Sequence, residues 1–288
     1  MVDAGSITIG NFWEGTDFEQ ARVDAVGRSG GLFCLWDPSV LKDAVVVKST
    51  YFICVSIKCF GNHDRTNLVN VYAPNDPSER LNLWSELLNL KNGREGNWLF
   101  MGDFNEVRCR EDRFSQNVCL STMNDFNNFI RDAELMEFNM GGRKFTRMSD
   151  DGLSLSKIDR FLVCNGFVNR WSNAAVTALP RRYSDHCPVI LITEVVDFGP
   201  RTFRFFNSWL LMDGFKEMVV SSWNKDVEAQ TEDKRMLAKL QRLKSDMRNW
   251  RNESRSKEEE ELRELLKKMD EIEIEAENRQ LTYNKKPD

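Results

Sequence analysis

The sequence of 288 residues predicts an α/β protein built as a two-sheet sandwich. Three observations predict it. Short runs rich in Val, Ile and aromatics recur at close spacing between Gly31 and Tyr72, the mark of neighbouring antiparallel strands. Helical stretches then alternate with further strands without a strict βαβ period, which favours a sandwich over a doubly wound parallel sheet. An apolar share of 41%, with 19 Phe and 8 Trp, supplies a sizeable core.

Residues 1–30 read as irregular, punctuated by Gly5, Gly10, Gly15, Gly27 and Gly30. Strands follow at 32–36, 44–48, 51–58 and 68–72, separated by Asp-Pro, Ser-Thr and Gly-Asn-His-Asp turns. Asp76-Pro77-Ser78-Glu79 starts a helix: a capping carboxylate, Pro at the first helical position, and Glu placed to reach back to the cap. Leu81, Trp84, Leu87 and Leu88 give that helix an apolar face, and Gly93 ends it. A strand ending at Gly102 comes next. A second helix is expected at 122–133, capped by Ser121, with Met123, Phe126, Phe129 and Ile130 inward. Beyond it lie a turn at Gly141-Gly142, strands at 144–146, 158–163, 174–178 and 189–193, and a brief helix at 166–171.

Composition shifts after Phe198-Gly199-Pro200, so the expected division is a domain at 1–199 and an extension at 200–288. Phe203, Phe205, Phe206, Trp209 and Leu210 form an aromatic cluster. From about Glu228 the chain is charged and helical, either as one long helix or as a hairpin of two. Such a stretch is a packing element with a solvated face, or a partner-binding helix through 228–280.

Residues 1–199 hold 21 Lys/Arg against 26 Asp/Glu, and residues 200–288 hold 19 of each. No broad basic surface drives sequence-independent nucleic-acid binding, so any phosphate contact is local. Seven Cys without a C-x-x-C pair, mostly in apolar runs, read as reduced buried thiols of a nuclear or cytoplasmic protein. With only His63 and His186, a Cys/His zinc site is not expected. Neither a membrane span nor a signal peptide is evident.

The stretch WLFMGDFN, Trp98 to Asn105, runs an apolar strand into Gly102, Asp103 and Asn105. Two residues apart on extended chain, the carboxylate and amide would point the same way and hold a water, a metal or a phosphate oxygen. Gly-Asp is also an ordinary turn. Four other spots matter. Tyr72 closes a strand. Thr146 sits among Arg143, Lys144 and Arg147, a cluster suited to phosphate. Asp159 lies inside a strand, where a carboxylate requires a partner. Ser184-Asp185-His186 precedes a strand, as a site or as a turn. Together these groups could bind Mg²⁺, activate water and stabilise a phosphoryl transition state.

Asn70-Val71-Tyr72-Ala73-Pro74-Asn75, Met101-Gly102-Asp103-Phe104-Asn105, Lys157-Ile158-Asp159-Arg160-Phe161 and Ser184-Asp185-His186-Cys187-Pro188 resemble, in order and spacing, the endonuclease/exonuclease/phosphatase superfamily. The resemblance is greatest to the apurinic-type endonuclease domain of plant non-LTR (LINE) retrotransposon polyproteins, over residues 20–215. It implies a four-layered α/β/β/α sandwich of two packed mixed sheets, incomplete at the N-terminus, with a C-terminal helical extension.

The resemblance also implies roles. Asp103 would deprotonate the attacking water and Asn105 would hold it. His186 would stabilise the pentavalent phosphate while Asp159 fixes its tautomer. Asp185 would support the metal, Tyr72 and Thr146 would position the phosphate, and Ser184 would be a secondary contact. The implied reaction is Mg²⁺-dependent nicking of DNA. The family's first strands, bearing an Asn and then the principal metal-binding Glu, are not found here, and neither Asp3 nor Glu14 replaces that Glu. An inactive or nearly inactive endonuclease is therefore expected. The alternatives are a non-catalytic module that works through its helical tail, and a phosphomonoesterase of the same fold.

Overall fold

A computed structural model gives the fold and describes residues 17–25, 31–59, 65–114, 118–149, 152–182, 184–194, 203, 205, 207–228 and 230–278. The chain divides into two compact units, one of Met1–Val195 with Ile274–Asp288 and the other of Val196–Glu273.

In the first unit the strands are β1 (Glu19–Val23), β2 (Leu32–Trp36), β3 (Leu41–Lys48), β4 (Phe52–Cys59) and β5 (Arg65–Tyr72), followed by helix α1 (Pro77–Asn92) and strand β6 (Asn97–Asp103). Next come β7 (Arg113–Phe114), α2 (Leu120–Asp132), β8 (Leu135–Glu137), β9 (Met140–Gly142), β10 (Arg147–Met148) and β11 (Leu155–Ser156). The unit's last elements before residue 195 are β12 (Asp159–Cys164), α3 (Asn165–Arg170), β13 (Ala175–Ala178) and β14 (Val189–Ile192).

A six-stranded sheet in the order β3-β4-β5-β6-β12-β8 is the centre of this unit. It is antiparallel except where β6 runs parallel to β5, the pair that α1 connects. Period-two alternation gives each strand two apolar faces. Phe52, Val69, Val71, Trp98, Phe100 and Leu162 face α1 and α2, where Trp84 stacks 5.1 Å from Phe129. On the opposite face, Ile53, Val55 and Ile57 meet Ala21, Leu32 and Trp36 of the β1–β2 hairpin. Leu99 and Val163, on that same side, pack with Phe167 of α3 and Leu191 of β14. β14, β13 and β9 form a second mixed sheet, in which β9 is parallel to β13. The result is the α/β sandwich of packed mixed sheets that the sequence predicts, with helices following at the C-terminal end.

Local details differ from the sequence reading. Asp76 caps α1 through the Ser78 and Glu79 amides, as expected. Glu79 does not reach back to the cap; it accepts the Tyr51 hydroxyl at 2.9 Å. The buried face of α1 carries Arg80, Leu83, Trp84 and Leu87, while Leu81 is exposed. Cys119, not Ser121, is the N-cap of α2. Gly141-Gly142 lies in β9 rather than in a turn, and residues 144–146 form no strand. Of the thiols, Cys54 and Cys187 are buried, but Cys109 and Cys119 are exposed.

In the second unit, Asn207–Leu211 is a short 3-10 turn, α4 spans Phe215–Asn224, and α5 runs unbroken over Glu232–Asn278, into the first unit's final segment. One long helix is thus the outcome of the two alternatives, and α4 went unread in the sequence. The aromatic cluster forms around Trp209, which meets Phe205 at 5.5 Å and Trp250 at 6.4 Å. Phe206, Gly30, Glu14 and Asp3 lie outside the described residues.

Candidate active site

Register places the first three groups. Tyr72 of β5 is the Cα partner of Asp103 in β6, and Asp103 is the partner of Asp159 in β12. In-register neighbours on adjacent strands point to the same face, so a tyrosine and two carboxylates stand in a row at the end of the central sheet. Gly102 makes the row possible. Its φ is +126°, and a Cβ there would collide with the Val71 carbonyl oxygen, so only glycine lets β6 and β5 stay paired to this point.

Asp103 and Asn105 do not converge by strand alternation, because β6 ends at Asp103 and Asn105 takes a left-handed φ of 49°. A short turn brings them together: the Asn105 backbone N–H donates to Asp103 Oδ1 at 2.8 Å, and its side-chain Nδ2 donates to the Ala73 carbonyl at 2.7 Å. Asparagine tolerates this backbone better than most residues. The loop is braced from behind. Buried Arg80 pairs with Glu106 at 3.0 Å and donates to the Asn75 carbonyl at 2.8 Å, holding both loops that edge the site.

His186 arrives from the turn before β14. Its Nδ1 lies 2.8 Å from Asp159 Oδ2, and its Nε2 lies 3.9 Å from both Asp103 Oδ2 and Asp185 Oδ2. A carboxylate only accepts, so Nδ1 carries the proton in that bond. Ser184 shapes the turn: its Oγ accepts the His186 N–H at 3.1 Å and lies 3.3 Å from Asp185 Oδ1. Asp185 also accepts from Arg147 Nε at 3.1 Å.

Thr146 is fully buried and does not line the cleft, contrary to its expected phosphate contact. Its Oγ1 accepts the N–H groups of Ile158 at 3.1 Å and Asp159 at 3.0 Å, and its carbonyl accepts the Cys187 N–H at 2.6 Å. The residue therefore ties the start of β12 to the chain beside His186. Of its basic neighbours, only Arg147 lines the cleft, and Arg143 is buried.

Gly31, Tyr72, Asn75, Asp103, Asn105, Arg147, Asp185 and His186 enclose an open cleft of about 340 Å³. Burial, then the charge of Asp159, pushes the Asp103 carboxyl up to about 7 against the pull of the Asn105 amide and of His186. Burial alone would lower His186, but the hydrogen bond and charge of Asp159, with Asp103 and Asp185, raise it above its ordinary value. For Asp185, His186 and Arg147 outweigh burial and lower the carboxyl. Asp103, Asp159 and His186 each offer a ligand atom within 4.8 Å of the others.

Sequence reasoning missed Asn75 and the ion-pair network behind Asp159. Arg160 faces the opposite side of β12, where it meets Glu137 and Asp112, each at 2.7 Å. Lys157 and Arg108 also reach Glu137, at 2.7 and 3.0 Å. The signal was present: strand alternation sends the residue after Asp159 into the core, and a buried guanidinium requires carboxylate partners.

Residues 8–186 match the family model described as Endonuclease/Exonuclease/phosphatase family. Among solved structures, the chain is similar to an AP endonuclease from Archaeoglobus fulgidus, with 13% identity and a TM-score of 0.50 over 67% of this chain and 86% of that one. It is also similar to the 3′ phosphatase NExo from Neisseria, solved bound to a product DNA hairpin, with 15% identity and a TM-score of 0.48 over 65% and 83%. A further likeness is to the endonuclease domain of TRAS1, a telomere-specific non-LTR retrotransposon, with 15% identity and a TM-score of 0.44 over 60% and 78%. The first of these likenesses shows a shared fold. No curated protein matches the chain. No described helix is long and apolar enough to cross a membrane.

Proposed function

The chain belongs to the endonuclease/exonuclease/phosphatase family, and from that premise we propose that its cleft hydrolyses phosphodiesters of DNA with Mg²⁺, as a retroelement-derived nicking domain of low activity. The observation that carries this reading is the Asp159–His186 dyad, held at 2.8 Å and facing Asp103 across 3.9 Å. Retroelement origin, of the plant non-LTR kind, rests on the four ordered motifs that contain Tyr72, Asp103, Asp159 and His186.

Asp103 takes the proton of the attacking water. With its carboxyl near 7 it is a strong enough base for this at neutral pH and is not fully protonated. Asn105, locked by its two hydrogen bonds, keeps its amide oxygen for that water. As the water oxygen bonds to phosphorus and the bond to the leaving oxygen breaks, negative charge grows on the phosphoryl oxygens. His186, whose pKa the neighbouring carboxylates raise against burial, and Arg147 meet that charge. Tyr72 fixes the phosphate from the neighbouring strand. Thr146 and Ser184 act one step back, on the backbone that aims Asp159 and His186.

The donor set fits a hard divalent cation. Carboxylates crowd one wall, and burial followed by the charge of Asp159 already raises Asp103. Asp185, with Asp103, would hold Mg²⁺, which when bound supplies charge neutralisation at the phosphate. Two features support weak binding and hence low activity: Asp185 is paired with Arg147, and Asp103 is partly protonated at neutral pH. Nicking of supercoiled plasmid against Mg²⁺ concentration, with His186→Ala and Asp103→Ala as controls, tests the reading.

A further inference from the structure

We propose that the chain self-associates as an antiparallel pair through the segment of α5 from Glu232 to Glu273, with a second copy of the same helix covering its exposed apolar stripe.

The stripe has two parts. Met236 and Leu240 are 49% and 46% exposed near the start of the helix, and Leu265 and Met269 are 59% and 39% exposed further along. Each pair is spaced by four residues, one step along a helix face. A neighbouring flank of the first half is already occupied: Lys239 donates to the Trp223 carbonyl, Arg242 donates to the Ser222 and Lys225 carbonyls, and Trp250 packs on Phe215 at 5.1 Å. The exposed stripe is therefore not the face that joins α4.

Charge identifies the occupant. Residues 232–251 hold seven Lys/Arg against three Asp/Glu, while residues 252–273 hold five against nine. One half is basic by four charges and the other acidic by four. This segregation is of no use to a helix on its own. Intrahelical pairs gain from opposite charges three or four residues apart, not from like charges gathered in blocks. The macrodipole favours the reverse order, acid first and base last. A second copy running antiparallel sets each basic half against an acidic one, and a parallel copy would oppose like charges.

One register satisfies both patterns. With Leu240 opposite Leu265 of the second copy, Met236 falls opposite Met269 and Lys234 opposite Glu271, because each of these residues is the same number of steps from the pair's centre. The apolar residues then meet near each end of the pair, with the Lys234–Glu271 ion pair beyond them.

The test is the mass of the full chain in solution, by analytical ultracentrifugation at low and high salt. The expected result is a dimer at low salt that weakens as salt rises. Reversing the basic half, with Lys234→Glu and Arg235→Glu, should weaken association by more than about tenfold, because like charges then face each other. Asp270→Lys with Glu271→Lys, the residues that face Arg235 and Lys234 in this register, should do the same from the other side. Both sets in one chain should restore the dimer, which a merely damaged helix would not do. A chain that stays monomeric at low salt, or a dimer indifferent to either reversal or not restored by both, overturns the proposal.

Discussion

Asp159 Oδ2 and His186 Nδ1 lie 2.8 Å apart although 27 residues of chain separate them. Two hydrogen bonds to one residue make this distance a property of the fold. Thr146 Oγ1 accepts the Asp159 N–H, and the Thr146 carbonyl accepts the Cys187 N–H. One buried threonine thus positions both members of the dyad.

Replacing Asp159 by Asn removes a charge that raises the His186 pKa. Its imidazole pKa, followed by NMR, should lie above its ordinary value in the parent and fall in the variant. Any nicking activity should drop by about 10²-fold or more, the usual scale for losing a positioned acid–base group.

Asp103 should trade stability for chemistry. Its carboxyl titrates near 7 in the folded chain and near 3.9 when unfolded. The folded state holds the extra proton between these values, so this group's contribution to stability falls as pH rises through that window and levels off above about 7. Asp103→Asn should therefore stabilise the fold at pH 8, by an upper bound of about 4 kcal/mol, and by much less at pH 4. Urea unfolding at the two pH values measures the difference, and the variant should not nick DNA.

Thr146→Val deletes an acceptor and leaves the buried Ile158 N–H and the half-buried Asp159 N–H unpaired. The expected loss is about 2–4 kcal/mol, from the typical penalty for each orphaned group. Thr146→Ser keeps the oxygen and should recover most of it. Equal losses in the two variants would show that the methyl, not the hydroxyl, matters.

Arg160→Met leaves Asp112 and Glu137 without their main partner in the core. Breaking such a pair costs about 3–5 kcal/mol. For both carboxyls, Arg160 leads the interactions that outweigh burial and lower the pKa below its ordinary value. Their stabilising contribution is complete above the unfolded carboxylate range, near pH 4, and is lost as pH falls through the lower folded values. Below that range the parent and variant should converge in stability, which an acid titration of the unfolding midpoint checks.

Much of this was legible in the residues. Strand alternation and turn chemistry located β2 to β6, and Asp76-Pro77 marked the start of α1. Asp103, Asp159 and His186 stood out because carboxylates and an imidazole at strand ends need a reason. What the sequence hid depended on partners distant in the chain. Thr146 reads as one polar residue in a basic cluster, and only the fold reveals that its hydroxyl faces inward to two amides. Asn105 reads as extended, but its turn follows from a hydrogen bond to Asp103 that no periodicity encodes. The helix α4 was missed because Phe215, Val219 and Val220 among polar neighbours give a short pattern that a loop also fits.

The rate of supercoiled-plasmid nicking as Mg²⁺ is raised, measured for the parent chain, Asp103→Ala and His186→Ala, decides whether this cleft hydrolyses DNA. The expected result is slow nicking that requires Mg²⁺, climbs through the millimolar range, and is absent from both variants. Nicking that persists in either variant, or that proceeds equally well in chelator, would contradict it.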